Sequence, residues 1–144
     1  MPKSTTACND ILGLLFNATA IANIADNAAS SPLGNLYISL HTGNPGIGGS
    51  QTTNETSYTN YARVAVVRTT SGWSAPSAAA TGNAALIQFP QCGVTGATIT
   101  YVAIGTASSG VGKVLYAGAL SSSLAVAELI VPQFAIAALA VSES

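Results

Sequence analysis

The first apolar repeat of the chain lies near its amino terminus and has the spacing of a helix. Apolar residues recur there at intervals of three and four, at Ile11, Leu14, Leu15, Ala18, Ile21 and Ala22, which places them on one helical face. Asn9 and Asp10 precede the repeat, and both residue types cap helix N-termini. The Asp10 carboxylate also favours the positive end of the helix dipole. The pattern predicts one amphipathic helix within residues 11–24, capped at residue 9 or 10.

From residue 36 onward the apolar period changes to two, which is typical of strands. Leu36, Ile38 and Leu40 alternate with Tyr37, Ser39 and His41 and predict a half-buried strand. Further runs of β-branched or aromatic residues follow, each bounded by turn residues, at 61–70, 84–89, 98–106 and 114–120. A last apolar run, within 124–141, also predicts core strand. The segments 42–53 and 71–82 predict an exposed loop and a long connection.

This order of elements predicts the fold class. Regular short strands with a single helix at one end favour an all-β protein, a jelly-roll-like antiparallel β-sandwich with one N-terminal amphipathic helix. Parallel βαβ units would need more helices. The length predicts a single domain, residues 1–144, with a helical segment and arm at 1–35 and a sandwich body at 36–144.

The composition points to a subunit of an assembly. The chain has four Lys or Arg and five Asp or Glu residues among 144, and 49% of its residues are hydrophobic, whereas roughly 25% charge is typical of soluble domains. Such a surface is expected to be covered by other protein. The few scattered cations predict no nucleic-acid partner. The apolar run after residue 124 is interrupted by Glu128, Pro132 and Gln133, so no membrane partner is expected, and no secretion signal is evident at the amino terminus.

The sequence shows no complete catalytic motif. His41 is the only histidine, and no motif links it to a nucleophile and a carboxylate, so we expect it to bond a loop carbonyl or hydroxyl. Residues 107–114 approach a phosphate-binding loop, but Val114 lacks the required hydroxyl and a strand follows, which favours a hairpin connection. Cys8 and Cys92 lack metal or redox spacing and predict buried free thiols. We therefore expect no enzyme, catalytic residue, cofactor, metal or small-molecule substrate.

Aromatic residues leave two alternatives open. Trp73, Tyr58, Tyr61, Tyr101 and Tyr116 could stack on sugars or bases, but sandwich cores also use aromatics routinely, and we favour the core.

Several motifs in fixed order resemble a family of small virion proteins of tailed bacteriophages. They are LYISLHTGNPG at 36–46, QTTNETSYTNYARVAV at 51–66, GTASSG at 105–110 and KVLYAGAL at 113–120. The resemblance extends from LLFNATAIAN at 14–23 to the closing run at 132–141. Members are often labelled tail fibre proteins, whereas those assigned within a particle look like capsid cement or decoration proteins with a jelly-roll body.

The resemblance implies a structural protein on the capsid exterior of the virion, made in the host bacterial cytoplasm. The expected role is capsid cement that stabilises the head by binding neighbouring subunits of the major capsid protein, with a dimer or trimer of the chain itself as a further contact. The alternative is a tail fibre or receptor-binding module. The amphipathic segment and the loop at 43–58 are the candidate contact surfaces, with candidate contact residues Ile11, Leu14, Leu15, Ile21, Asn44, Pro45 and Tyr58.

Overall fold

The computed structural model describes residues 3–21 and 33–144, which form one helix and eight strands. The elements are α1 (Thr5–Phe16), β1 (Asn35–His41), β2 (Val64–Val67), β3 (Ala80–Gly82), β4 (Ile87–Gln88), β5 (Ala97–Gly105), β6 (Val114–Val126), β7 (Gln133–Phe134) and β8 (Ala140–Ser142). The larger sheet has the strand order β2-β1-β5-β6, and two-stranded sheets pair β3 with β8 and β4 with β7. The predicted all-β class with one N-terminal helix is confirmed, while the jelly-roll arrangement stays a prediction.

The chain divides into two compact units. Unit 1 contains Met1–Asn35, Val66–Ile87 and Phe134–Ser144, and unit 2 contains Leu36–Ala65 and Gln88–Gln133. Each unit has its own buried side chains. Those of unit 1 include Cys8, Leu12, Phe16, Trp73 and Leu139, and those of unit 2 include Leu36, Ile38, Tyr58, Phe89, Cys92 and Ile104. Both cysteines are free and buried, as predicted.

Helix α1 starts and ends earlier than the apolar repeat predicts. Its N-cap is Ser4, whose hydroxyl accepts a hydrogen bond from the Ala7 amide at 3.2 Å, so the prediction of a cap at Asn9 or Asp10 is wrong. The helix ends because Ala18 has a left-handed φ of 52°, and the Thr19 amide bonds back to the Gly13 carbonyl at 3.0 Å. The predicted continuation at 22–24 lies outside the described residues. No helix in the described ranges has the length and apolar character needed to span a membrane.

Strand β1 is buried on both faces toward its end. Leu36, Ile38 and Leu40 are buried as the alternation predicts, but Ser39 and His41 are fully buried as well, so the half-buried prediction is wrong there. The two polar side chains bond each other, with 2.9 Å between Ser39 Oγ and His41 Nε2. Because a buried polar group is tolerated when it is hydrogen-bonded, the polar face of the strand can lie inside.

The other predicted strands differ in length from the observed ones. β5 matches its predicted run closely, and β6 continues to Val126, six residues beyond its predicted end at 120. The runs at 61–70 and 84–89 contain only β2 and β4. The last apolar run, 124–141, contains the end of β6, all of β7 and most of β8. Because Leu129 and Ile136 in this run are 70% and 66% exposed, the prediction of a core strand is wrong there. β3 lies in a segment predicted as a connection. It escaped the pattern because three residues are too few to show alternation.

Candidate functional site

A charged pair lies at the centre of a loop-anchoring network in unit 2. Arg63 donates from Nε and Nη2 to the two carboxylate oxygens of Glu55, at 2.6 and 2.7 Å. The Arg63 side chain is 2% exposed and that of Glu55 is 15% exposed. The hydrogen bond from Glu55 raises the pKa of Arg63. This bidentate geometry is the strongest form of an arginine–carboxylate contact.

The same guanidinium holds the connection between β5 and β6. Arg63 Nη1 donates to the Ala107 carbonyl at 2.9 Å, and Nη2 donates to the Gly110 carbonyl at 2.8 Å. Residues 107–113 lie in the connection of the antiparallel β5–β6 hairpin, and Val114 begins β6. The segment approaches a phosphate-binding loop in sequence, but the predicted hairpin connection is confirmed. The ion pair of Arg63 with Glu55 is internal to the chain.

Tyr61 extends the network toward β1. Its hydroxyl donates to Glu55 Oε1 at 2.9 Å and accepts from the Leu40 amide at 3.1 Å. Burial raises the pKa of the Tyr61 hydroxyl. The ring stacks on Phe89 with 6.4 Å between centroids.

Gln51 is a second buried anchor of the same hairpin. The side chain is fully buried, and Oε1 accepts from the Ala107 amide at 2.9 Å. A Cβ at Gly105 would lie 2.2 Å from Gln51 Cδ, and one at Gly112 would lie 2.1 Å from Gln51 Oε1. The two glycines therefore make room for the Gln51 amide against the hairpin.

His41 joins β1 to the loop that follows it. Its Nδ1 lies 2.9 Å from the Thr53 carbonyl. Because a carbonyl only accepts, we assign the proton to Nδ1, which leaves Nε2 of the neutral ring to accept from the Ser39 hydroxyl. This is the predicted bond to a loop carbonyl and a hydroxyl. Both Ser39 and His41 are 0% exposed, so this pair is closed to solvent.

The burial of His41 predicts a pH-dependent stability. Desolvation lowers the pKa of His41 below its usual 6.5, so the folded ring stays neutral at a pH where the unfolded ring binds a proton. The contribution of His41 to the free energy of unfolding is therefore fully present above about pH 6.5. It is lost as the pH falls from there toward the lower pKa of the folded state, by at most about 1.4 kcal/mol per pH unit.

The measurement is urea unfolding of the wild-type chain and of His41→Gln from pH 7.5 to 5. The variant is expected to be less stable at pH 7.5 and to lose less stability on acidification. An equal loss in both proteins would contradict the assignment.

In unit 1 a half-buried cation, Arg68, caps the end of helix α1. Arg68 donates from Nε to the Leu15 carbonyl and from Nη2 to the Leu14 carbonyl, both at 2.6 Å, and from Nη1 to the Leu33 carbonyl at 2.7 Å. Burial lowers the pKa of Arg68. A cation at this end of α1 satisfies carbonyls that have no partner within the helix and complements the helix dipole.

Asn83 is the polar centre of unit 1. It is 1% exposed, and its amide nitrogen donates to the carbonyls of Ala85 and Ala135, both at 2.8 Å. Its side-chain oxygen accepts from the Leu139 amide at 2.9 Å. One side chain thus joins the segment after β3 to the turn before β8.

The candidate contact residues occupy different environments. Ile11, Leu14 and Leu15 on α1 and Ile21 beyond it are half-buried and belong to unit 1. In unit 2, Asn44 is exposed, whereas Pro45 and Tyr58 are buried. The Tyr58 hydroxyl donates to the Pro90 carbonyl at 2.9 Å, and burial raises its pKa to about 12. Their role as contacts to other proteins stays a prediction.

The surface carries several exposed apolar side chains. Those of unit 2 include Ile47, Val94, Val111 and Leu129, and those of unit 1 include Leu86 and Ile136. Leu129 is 70% exposed and has a left-handed φ of 67°, in a turn closed by the Ile130 amide on the Ala127 carbonyl at 3.0 Å. Leucine rarely adopts this conformation.

Trp73 lies in the core of unit 1, and unit 2 has a shallow groove. Trp73 is fully buried and packs edge-on against Phe16 at 4.6 Å between centroids, which confirms the core alternative for this residue. A groove of about 700 Å³ in unit 2 is lined by Arg63, Val64, Ala65, Gln88, Phe89, Pro90, Gln91 and Val131. Among residues 3–21 and 33–144, no three His, Cys, Asp or Glu residues are placed to share a metal ion.

These features define a class of protein: a small, charge-poor, all-β structural module in which several charged side chains fix the module's own loops and helix. The chain belongs to the family described as Podophage GP4 fiber I protein gp80, whose model matches residues 2–142. It is a tailed-phage virion protein, which confirms the resemblance seen in the sequence. A comparison with curated proteins gives no match.

Proposed function

We propose that this chain is a structural subunit of a fibre on the phage tail, and that it acts by assembly and not by catalysis. The observation that carries the proposal is the family match over residues 2–142, because the family description names a fibre. A capsid cement role is the weaker of the two virion roles, since the description does not name the capsid.

The internal use of charge supports an assembly role. Arg63 and Glu55 bond each other, and Arg68 bonds backbone carbonyls, so these charged groups hold the fold. The outer surface meanwhile offers uncharged side chains such as Ile47 and Val111, which are 110% and 81% exposed. Exposed apolar groups favour contact with other protein.

The loop anchors suit a load-bearing part. A fibre transmits force between the particle and the host surface, so its modules must keep their loops in place under strain. The contacts of Arg63 with Ala107 and Gly110, and of Gln51 with Ala107, fix the β5–β6 connection to the preceding loop. The charge-assisted bonds of Arg63 and the bond of the buried Gln51 side chain each add to the cost of pulling that connection away.

Gold-labelled antibody on intact phage tests the location. The proposal predicts label at the tail in negative-stain micrographs, with disrupted particles as the control for buried epitopes. Label distributed over the head would contradict the fibre role and favour cement.

A further inference from the structure

Strand β6 forms an outer edge of the larger sheet, and no other described strand lies beyond it. It is 13 residues long, and every residue but Val126 is exposed or half-buried. It contains neither a charged residue nor a proline. Sheets of monomeric proteins usually protect an edge with a lysine, a proline, a bulge or a short strand. β6 is long and carries no lysine or proline, and its two register shifts leave residues 116–119 between them in regular pairing with β5.

The straight part of this edge is its first half. From Tyr116 to Ala119, β6 pairs with β5 from Ile104 back to Tyr101 in continuous register. Leu115 has no partner in β5, because Val114 pairs with Gly105 and Tyr116 with Ile104. The register then shifts, because Ile99 pairs with Leu124 and Tyr101 with Ala119, so that four residues of β6 oppose Thr100. Such a bulge bends a strand. Residues 116–119, between the two shifts, are the segment with regular edge geometry.

We propose that two copies of the chain pair through this edge, antiparallel, about a two-fold axis at Ala117. In this register Ala117 faces Ala117 of the second copy, Tyr116 faces Gly118, and Leu115 faces Ala119. Each large side chain meets a small one, which is the complementarity that stabilises cross-strand pairs. The inference rests on the proposed assembly role, to which it adds the interface.

Charge identifies a second copy as the occupant. A two-fold contact places identical surfaces against each other, so a charged side chain near the axis would lie opposite the same charge and be repelled. An uncharged strand has no such repulsion, and it offers no opposite charge to select a basic or acidic peptide. Ala117, Gly118 and Ala119 are all exposed, which leaves space for a neighbouring strand.

A cysteine at the axis tests the register directly. Directly opposite residues in antiparallel strands have Cα atoms about 4.5–5.5 Å apart, within the range of about 4.4–6.8 Å that a disulfide spans. Ala117→Cys is therefore expected to form a covalent dimer under mild oxidation. The native thiols do not compete, because Cys8 and Cys92 are 3% and 1% exposed.

Ala119→Cys is the matched control on the same strand. In the proposed register its two copies lie four residues apart along the strand, about 13 Å, which is too far for a disulfide. The expected yield of covalent dimer is at least about tenfold higher for Ala117→Cys. Equal yields, no dimer in either variant, or a higher yield at position 119 would overturn the proposal.

Sedimentation gives a second measurement without a cross-link. The wild-type chain is expected to dimerise with concentration, and Ala117→Glu, which places two carboxylates opposite each other, is expected to stay monomeric with an unchanged circular dichroism spectrum. A wild-type chain that stays monomeric, or a dimer unaffected by Ala117→Glu, would overturn the pairing. Neither result depends on where gold label falls on the particle, so failure of the pairing and failure of the fibre role are separable.

Discussion

Arg63→Met is expected to lower the free energy of unfolding by about 3–5 kcal/mol, the range for removing one partner of a buried ion pair. The substitution keeps most of the side-chain volume but leaves Glu55 without the two bonds at 2.6 and 2.7 Å. It also releases the carbonyls of Ala107 and Gly110. Urea unfolding followed by far-ultraviolet circular dichroism measures the change.

Two further variants make this test specific. Lys113→Met removes an exposed cation close to the same hairpin and is expected to change stability by less than about 0.5 kcal/mol. Arg63→Lys keeps the charge but cannot form the bidentate contact, so it should remain well below the wild type. If Arg63→Met cost no more than Lys113→Met, the pair would not be an anchor of the fold.

Asn83→Ala is expected to destabilise the protein by about 2–4 kcal/mol, because the truncated side chain leaves three backbone groups without their hydrogen-bond partner. The amide of Leu139, a residue that is 7% exposed, loses its acceptor at 2.9 Å and has poor access to water. Two carbonyls lose their shared donor. Fluorescence of the single tryptophan, Trp73, reports on the same unit during unfolding.

Asn9→Ala is the graded control for Asn83→Ala. The Asn9 side chain accepts a single bond, from the Ala79 amide at 2.7 Å, so about 1 kcal/mol is expected. Equal losses in the two variants would contradict the central position of Asn83 in unit 1.

Local apolar patterns predicted β1, β5 and the first half of β6. β1 and β5 carry seven and nine residues, and both follow clear apolar runs in the sequence. β3 and β8 have three residues each and exist through pairing between distant segments, which no local period reveals. The helix start was missed because Thr5 and Thr6 are weak helix formers and lie before the first apolar repeat.

The polar anchors were harder to predict than the strands. Arg63 was visible as one of only four Lys or Arg residues, but its bond to the carbonyl of Ala107 joins residues 44 positions apart. The hydrogen bonds of His41 to a loop carbonyl and a hydroxyl were predicted correctly. A single histidine without a catalytic motif is most often a structural residue. The sequence shows that residues 114–126 contain no charged residue. This absence indicates an unprotected edge only when the strand order is known, because the order places β6 at the edge of the larger sheet.

The copy number of this chain in purified phage tests the fibre role most directly. Quantitative mass spectrometry against the major capsid protein measures it, with separated heads and tails analysed in parallel. A fibre subunit is expected at a copy number far below that of the capsid protein and in the tail fraction. A ratio near one to one, with the chain recovered on the heads, would contradict the fibre role and identify a capsid-covering protein.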